Sequence, residues 1–170
     1  SVVALNKATG DLLWKSQNDA AAYSSAVPFD AGGARGLAIL TAEAAIGLDM
    51  KNGAQLWRYG RIANRTANVA TPIVHDGHVF VSTDYGTGGA LLKLTAAGSA
   101  VQAAEVYFNR DMRNHYTTCV LVGDYLYGFS SAILTAMNFM TGKVAWSHRS
   151  VGKGNCIYAD QRLYCLGEDG

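Results

Sequence analysis

Residues 45–57 read AIGLDMKNGAQLW, and variants of this stretch recur along the chain. Residues 3–14 read VALNKATGDLLW, residues 135–146 read TAMNFMTGKVAW, and a weaker copy, LKLTAAG, occupies residues 92–98. The turn glycines of the four copies are separated by 43, 45 and 44 residues: Gly10, Gly53, Gly98 and Gly142. A fixed period of this length is typical of propeller blades or of repeated helical pairs.

Each clear copy contains an Asn or Asp, a glycine four residues later, and a tryptophan four residues after the glycine. Side chains such as Asn6 and Asp49 cap turns, and glycine supplies the positive φ that a tight turn needs. A helical pair would need roughly 10 to 15 residues of helical pattern on each side of the turn. The repeat therefore predicts strand, turn, strand, with a tryptophan closing the second strand: Trp14, Trp57 and Trp146. We expect these three side chains to be largely buried, each between neighbouring blades.

A second hairpin precedes each copy. In TPIVHDGHVFVS, residues 71–82, Asp76-Gly77 is a two-residue turn that pairs His75 with His78, and Ile73 with Phe80. One repeat is then four strands in about 44 residues. Residues 38–50 alone resemble a helix, but their position in the repeat favours strands. The third copy is longer, and Tyr107 is predicted to take the place of its tryptophan.

The chain begins with the second half of a repeat and stops after the first half of another. Residues 1–15 and 155–167 are therefore predicted to be complementary half-blades of a single domain, residues 1–170. Joined end to start, they would read as one continuous blade. This match allows a closed ring of four blades, and it equally suits a part of a longer array.

The composition narrows the class of protein. The 170 residues are 49% hydrophobic, with 19 glycines and two prolines, as suits a globular domain with many tight turns. A net charge of +1 offers no general basis for binding nucleic acid or a membrane surface. No run of 18 apolar residues predicts a transmembrane helix. Three cysteines do not make a disulfide framework.

The pattern Ala-x-Asp/Asn-x-x-Thr/Asn-Gly-x-x-x-Trp resembles the tryptophan-docking repeat of the pyrroloquinoline-quinone-like (PQQ-like) β-propellers, over essentially the whole chain. The resemblance implies an all-β propeller of four-stranded antiparallel blades. Rings in this family usually have seven or eight blades, which at this period needs roughly 300 or more residues. About four blades are present, so we expect half of a ring. The resemblance also implies an extracytoplasmic location, periplasmic or secreted.

The family includes quinoprotein dehydrogenases and non-catalytic scaffolds, such as an outer-membrane assembly lipoprotein. The dehydrogenases use adjacent cysteines beside the quinone, a Glu/Asn/Asp calcium site and a catalytic Asp. No two cysteines here are adjacent, and no motif matches the calcium or catalytic residues. The leading hypothesis is a non-catalytic binding or scaffold module with no cofactor. The alternative is part of a dehydrogenase that binds PQQ with calcium and carries its catalytic residues outside this chain.

Other candidate sites have simpler interpretations. His75 and His78 could share a metal ion, but two ligands are too few for a closed zinc site. Asp111, Arg113 and His115 could act as acid–base groups, although solvated connector residues are the favoured interpretation. Residues 85–89 (YGTGG) resemble a phosphate-binding loop but lack the lysine and the following helix. A turn between strands explains them better.

The connectors that follow each closing aromatic residue are basic. Residues 15–23, 58–68, 108–116 and 147–155 hold eight of the 14 Lys and Arg, opposed within them only by Asp19 and Asp111. In a propeller these connectors emerge on one face, so a partner protein with an acidic surface, or an anionic ligand, is predicted there. Solvation of polar loops explains the pattern equally well. The candidate contact residues are six arginines: Arg58, Arg61, Arg65, Arg110, Arg113 and Arg149.

The last hairpin, CIYADQRLYCL, brings two cysteines into register. A two-residue turn at Asp160 and Gln161 would place Cys156 opposite Cys165, in a pair with Cα atoms roughly 4.5 Å apart. A disulfide is possible at that distance in an oxidising compartment. Two thiols packed as small apolar side chains are the favoured alternative. Either outcome leaves Cys119 as a free thiol.

Overall fold

The computed structural model of the protein describes residues 1–98, 100–149 and 151–170. These residues form three four-stranded antiparallel sheets and two separate hairpins, in chain order. The head hairpin pairs β1 (Val2–Leu5) with β2 (Leu12–Ser16). Sheet 1 consists of β3 (Val27–Ala31), β4 (Ala34–Leu40), β5 (Ala45–Asp49) and β6 (Gln55–Tyr59). A 3-10 turn follows it, Gly60–Ile62.

Sheet 2 consists of β7 (Ile73–His75), β8 (His78–Thr83), β9 (Gly88–Ala97) and β10 (Ala100–Asn109). Sheet 3 consists of β11 (Val120–Val122), β12 (Tyr125–Ser130), β13 (Ile133–Asn138) and β14 (Val144–His148). The tail hairpin pairs β15 (Gly154–Ala159) with β16 (Arg162–Gly167). The four-stranded antiparallel blades predicted from the repeat are confirmed. Residues 38–50 contain the end of β4, a loop and β5, and they form no helix.

Successive sheets stand side by side around an axis. Strand β3 contacts β7, and β11 contacts β15, so the first strands of neighbouring blades are adjacent. Side chains alternate between the two faces of a strand, and in sheet 2 both faces are apolar: Val81 and Leu92 belong to one core cluster, Phe80 and Leu91 to another. One core cluster lies between sheets 1 and 2 and includes Phe29, Trp57, Val81 and Leu92. Another includes Phe80 and lies between sheets 2 and 3.

The aromatic residue that closes the fourth strand has the same place in every blade. Immediately before each closing aromatic residue the register shifts by one residue, which is a β-bulge. The closing aromatic residues and their cross-strand partners are Trp14 with Ala4, Trp57 with Gly47, Tyr107 with Leu91, and Trp146 with Ala136. The shared bulge confirms that Tyr107 replaces tryptophan in the third copy.

The Asn/Asp–Gly turn is also repeated. The Gly53 N–H donates to the Asp49 carbonyl at 2.9 Å, and the Asp49 side chain accepts from the Lys51 N–H at 2.7 Å. Equivalent bonds close the turns that begin at Asn6 and Asn138. The third copy differs, because β9 and β10 continue for ten residues each and Gly98 lies at the tip of a long hairpin.

The turns of sheets 1 and 3 receive the closing aromatic residue of the preceding hairpin or sheet, an arrangement we call the docking contact. The Trp14 indole lies over Gly53, where an added Cβ would be 2.6 Å from the ring, and its Nε1 donates to the Met50 carbonyl at 3.1 Å. Tyr107 lies over Gly142 in the same way, and its hydroxyl donates to the Phe139 carbonyl at 2.9 Å. In both cases the acceptor is the residue after the turn's Asn or Asp.

The prediction that all three tryptophans are buried is only partly right. Trp57 is 5% exposed and packs against Phe29, but its Nε1 has no partner among the described residues, since sheet 2 lacks the Asp–Gly turn. For Trp146 the prediction is wrong, because its side chain is 42% exposed. Among the described residues no turn of a following blade covers it, and its ring contact is with Tyr127 at 6.0 Å.

Candidate functional site

Hydrogen bonds hold the first three connectors in place. Each of these three lies against the loop between the second and third strands of the next sheet, as when the Ser131 N–H donates to the Arg113 carbonyl at 2.8 Å. The Tyr23 N–H donates to the Asn68 carbonyl at 3.0 Å, which links the first connector to the second. Residues 15–23, 58–68 and 108–116 with these loops, and residues 147–149 after the last closing tryptophan, form what we call the connector surface. Residue 150 of the fourth connector lies outside the described residues.

Two of the six candidate arginines are neutralised by acidic residues that the sequence analysis did not connect with them. Arg58 pairs with Asp19 at 2.9 Å and with Glu43 at 3.6 Å. Arg61 pairs with Glu105 at 2.8 Å and lies 4.0 Å over the Phe108 ring. Glu43 and Glu105 are outside the connectors, so only the tertiary fold brings them there. Asp19 and Asp111 are therefore not the only acidic residues that oppose the basic connectors.

Burial and charge alter the ionisation of two groups here. Burial by itself raises the pKa of Asp19, but hydrogen bonds from Thr41 and Arg58, with the Arg58 charge, outweigh it and hold the pKa below its usual value. Burial raises the pKa of Tyr59, and the bond from its hydroxyl to the Glu105 carboxylate raises it further. Both ion-paired arginines are thus held in fixed networks.

The other four candidate arginines have no acidic partner among the residues that the structure describes. They are Arg65, Arg110, Arg113 and Arg149. Arg65, Arg110 and Arg149 are exposed. Arg113 is half-buried, and its Nε atom is enclosed without a hydrogen-bond partner. That these arginines bind a partner stays a prediction.

The sequence analysis missed an aromatic group that includes two residues of the connector holding Arg110 and Arg113. We call it the tyrosine cluster: Tyr85, His115 and Tyr116. His115 Nε2 lies 3.0 Å from the Tyr85 hydroxyl, and the His115 ring is 5.3 Å from that of Tyr116. Tyr85 is 50% exposed and Tyr116 42% exposed. The sequence could have predicted part of this cluster, because Arg113, His115 and Tyr116 lie close together in one connector and Tyr and Arg are enriched in binding hot spots.

The backbone under the tyrosine cluster is strained. Tyr85 has a φ of 54° and Ser131 also has a φ of 54°, in the left-handed region that non-glycine residues rarely adopt. The Ser131 hydroxyl donates to the nearly buried Asp84 carboxylate at 2.8 Å, which ties the two loops together. Such strain persists only where the surroundings impose it, and it is frequent at binding sites. Residues 84–87 form the turn between β8 and β9, and Gly88 and Gly89 are the first residues of β9, so a turn between strands is present where it was predicted.

The His75/His78 pair is a packing feature. The predicted register of the hairpin is confirmed, with His75 opposite His78 and Ile73 opposite Phe80. Both imidazoles meet the Phe139 ring edge-on, at 5.8 and 6.5 Å. Within residues 1–98, 100–149 and 151–170, no three His, Cys, Asp or Glu side chains converge as a metal site.

The tail hairpin has the predicted register. Cys156 lies opposite Cys165, across a turn in which Asp160 and Gln161 both have positive φ. All three cysteines are free thiols, and Cys156 Sγ donates to the Tyr127 carbonyl at 3.5 Å. Burial raises the pKa of the Cys156 thiol to about 11, so it is protonated at neutral pH. The geometry matches thiols that pack as small apolar side chains.

A PQQ–calcium site can be tested against the side chains of this chain. Quinone binding of the dehydrogenase type would need adjacent cysteines, and Cys119, Cys156 and Cys165 are not adjacent. Calcium would need converging acidic oxygens, and the described residues contain no such cluster. The dehydrogenase alternative stays a prediction about residues outside the chain.

The repeated bulge, the Asn/Asp–Gly turn and the docking contact together define a PQQ-like β-propeller. The family model described as outer membrane protein assembly factor BamB matches residues 1–148, and the chain belongs to that family. No curated protein matches the chain. No helix among the described residues is long and apolar enough to cross a membrane.

Two solved structures illustrate the likeness. BamB from Moraxella catarrhalis is 16% identical, with a TM-score of 0.48, and the match covers 99% of this chain and 67% of that one. The computationally designed Ika8 protein is 13% identical, with a TM-score of 0.68, and the match covers 98% of this chain. The chain spans 49% of the length of Ika8. At such identity the likeness to Ika8 concerns the fold alone.

Proposed function

We propose that the chain is a non-catalytic binding or scaffold module that acts outside the cytoplasm in the assembly of outer membrane proteins. Membership of the BamB family supports the process, and the propeller fold supports a protein-binding role. The connector surface is the proposed contact, and its partner is a protein with an acidic surface. Two observations carry the proposal. Among the described residues, four of the six candidate arginines have no acidic partner, and two of them, Arg110 and Arg113, share a connector with His115 and Tyr116 of the exposed tyrosine cluster.

The chemistry of this surface is suited to an acidic partner. An exposed arginine that is already paired offers little to a partner, whereas Arg65 and Arg110 keep their full charge for an incoming carboxylate. Tyr85 and Tyr116 add amphipathic area that is held in place by His115 and by the Tyr116 bond to Glu168. Rigid aromatic residues with arginine at their edge are the usual composition of a protein-binding hot spot.

The proposal is tested by capture from the periplasmic extract of a Gram-negative cell, with the immobilised chain and quantitative mass spectrometry. One variant carries Arg65→Glu, Arg110→Glu and Arg149→Glu. Its matched control carries Lys7→Glu, Lys51→Glu and Lys143→Glu, which make the same charge change on exposed turns at the opposite ends of the strands.

The arginine variant should lose an acidic partner that the lysine variant and the parent chain retain, and capture should fall as salt is raised. Circular dichroism should show the same fold for all three chains. Equal capture by the two variants would contradict the proposal, and so would a partner whose binding is indifferent to salt.

A further inference from the structure

The turn that carries Tyr85 is fixed to the elements on either side of it. Thr83, which ends β8 and is fully buried, accepts a hydrogen bond from Asn64 Nδ2 of the second connector at 2.6 Å. On the other side, the Asp84 carboxylate accepts from the Ser131 hydroxyl of sheet 3 at 2.8 Å. Contacts with two neighbouring elements therefore hold the backbone of Tyr85 at its positive φ.

The imidazole that meets Tyr85 is also held by buried hydrogen bonds. Asn114, the residue before His115, is 1% exposed. Its N–H donates to Ser82 Oγ at 2.9 Å, and its Nδ2 donates to the Phe129 carbonyl at 3.2 Å, so the connector 108–116 is fixed between β8 and β12. The Tyr85 and His115 rings meet edge-on with centroids 5.0 Å apart, and His115 Nε2 lies 3.0 Å from the Tyr85 hydroxyl oxygen. Two fixed segments thus bring the hydroxyl and the imidazole together.

The two ring nitrogens of His115 have unequal surroundings. Nε2 faces the Tyr85 oxygen, whereas Nδ1 is enclosed and has no hydrogen-bond partner among the described residues. A neutral imidazole carries one N–H and one lone pair. If the hydrogen were on Nδ1, a buried donor would lack an acceptor, which is the rarer kind of unsatisfied group in proteins. The surroundings therefore favour the hydrogen on Nε2, where the Tyr85 oxygen accepts it.

This tautomer decides what the Tyr85 hydroxyl offers to a partner. Its oxygen accepts from His115, so its own hydrogen is not used in that bond and can be donated elsewhere. Tyr85 is 50% exposed, so a partner can reach this donor. A hydroxyl that accepts from an N–H is polarised and becomes a stronger donor. A carboxylate, which only accepts hydrogen bonds, is the protein side chain that suits such a donor best.

We infer that the Tyr85 hydroxyl, with its oxygen bonded to the His115 Nε2 hydrogen, donates a hydrogen bond to a carboxylate of the acidic partner protein. Tyr85 is then a specificity-determining residue of the connector surface, and His115 is its positioning residue. This role rests on the proposed function and adds a requirement that charge alone does not impose. Exposed arginines attract any anionic surface, whereas a fixed hydroxyl donor recognises a carboxylate at one place.

The tautomer of His115 can be measured without any partner. The chain is labelled with ¹⁵N at histidine and studied by NMR at about pH 8, where imidazole is ordinarily neutral. Nδ1 of His115 should resonate far downfield of Nε2, as an unprotonated ring nitrogen does, and loss of the signals in His115→Gln assigns them. A hydrogen on Nδ1 would overturn the inference, because Tyr85 would then have to donate its own hydrogen to Nε2.

Hexaglutamate, acetylated and amidated at its ends, is the probe for carboxylate recognition, and NMR titration of the ¹⁵N-labelled chain measures its affinity. Tyr85→Phe removes only the hydroxyl and should weaken binding by about three- to tenfold, which corresponds to one hydrogen bond of ordinary strength. Tyr23→Phe is the matched control, because it removes the same atom from a side chain that is 78% exposed on the first connector. It should bind hexaglutamate as the parent chain does.

Two variants of His115 separate positioning from packing. His115→Gln keeps an N–H donor near the place of Nε2 and should bind hexaglutamate as the parent chain does, whereas His115→Leu should bind as weakly as Tyr85→Phe. Equal affinities of Tyr85→Phe and the parent chain would overturn the inference, and so would a parent chain that does not bind hexaglutamate. The proposed function is judged separately, by the capture experiment with the arginine and lysine variants.

Discussion

Substitution of Gly47 by alanine should destabilise the protein through Trp57. Gly47 lies opposite Trp57 across strands β5 and β6, and the indole rests on its backbone. A Cβ at this position would lie 1.9 Å from the Trp57 Nε1 atom and 2.3 Å from Cε2, where ordinary contacts are 3.4–4 Å. The indole is 5% exposed and is backed by Phe29, so it has little room to withdraw.

The size of the effect follows from two opposing contributions. Overpacking of a well-packed core costs about 1–3 kcal/mol. Alanine is favoured over glycine in a strand by about 0.5–1 kcal/mol, because glycine loses more backbone freedom on folding. The two ranges differ by about 0–2.5 kcal/mol. Because the ring is so close and has little room to withdraw, we expect a net loss in the free energy of unfolding of about 1–2 kcal/mol. The removal of the indole with Trp57→Ala should cost more, about 3–5 kcal/mol.

Urea unfolding followed by far-ultraviolet circular dichroism measures these changes in the free energy of unfolding. In the Trp57→Ala background the clash is gone, so Gly47→Ala should there be neutral or stabilising. Gly60→Ala is the control, since its nearest contact would be the Glu43 carbonyl at 4.0 Å. The same cost for Gly47→Ala in both backgrounds would refute the argument.

Three further predictions concern charge, thiols and the last turn. Asp19→Asn should lower the free energy of unfolding at pH 7 by about 1–3 kcal/mol, because charged hydrogen bonds are lost. The pKa of Asp19 is lowered in the folded state. The difference in free energy of unfolding between the parent chain and Asp19→Asn should therefore be complete above the ordinary aspartate pKa and disappear as the pH falls through the lowered value. A difference that does not change with pH would contradict this. Thiol titration of the denatured, unreduced protein should find three free thiols, and a count of one would mean a disulfide. The native protein at pH 7 should show fewer reactive thiols, because Cys156 is buried and its pKa is raised. Gln161→Gly should raise the free energy of unfolding by about 0.5–1 kcal/mol, because Gln161 has a φ of 60°; a lower melting temperature would be evidence against strain at this turn.

Local patterns predicted most of the fold. Each two-residue turn defines the register of the hairpin around it, so the pairs at His75/His78 and Cys156/Cys165 followed from counting outward from the turn. The place of Tyr107 followed from the repeat, even though the third copy departs from the spacing of the others. The register of a hairpin depends only on residues close to its turn in the sequence, so it can be predicted without the tertiary structure.

The candidate site was much less predictable. The basic connectors could be read from the sequence, but the pairing of Arg58 with Asp19 and of Arg61 with Glu105 joins residues about 40 positions apart. The same holds for Tyr85 and His115, which meet because a loop of sheet 2 lies against the following connector. No local pattern encodes which charges are neutralised, since that depends on how successive blades stack.

The sequence by itself determined the architecture of this protein: the period, the strands, the turns and the position of each closing aromatic residue. These are properties of a single repeat, and they follow from backbone conformation and from the alternation of side chains along a strand. Only the tertiary structure decided which tryptophans are docked and which arginines remain free. A docking contact needs the turn of the next blade, so Trp14 is covered, Trp57 is buried without a partner for its Nε1, and Trp146 remains exposed.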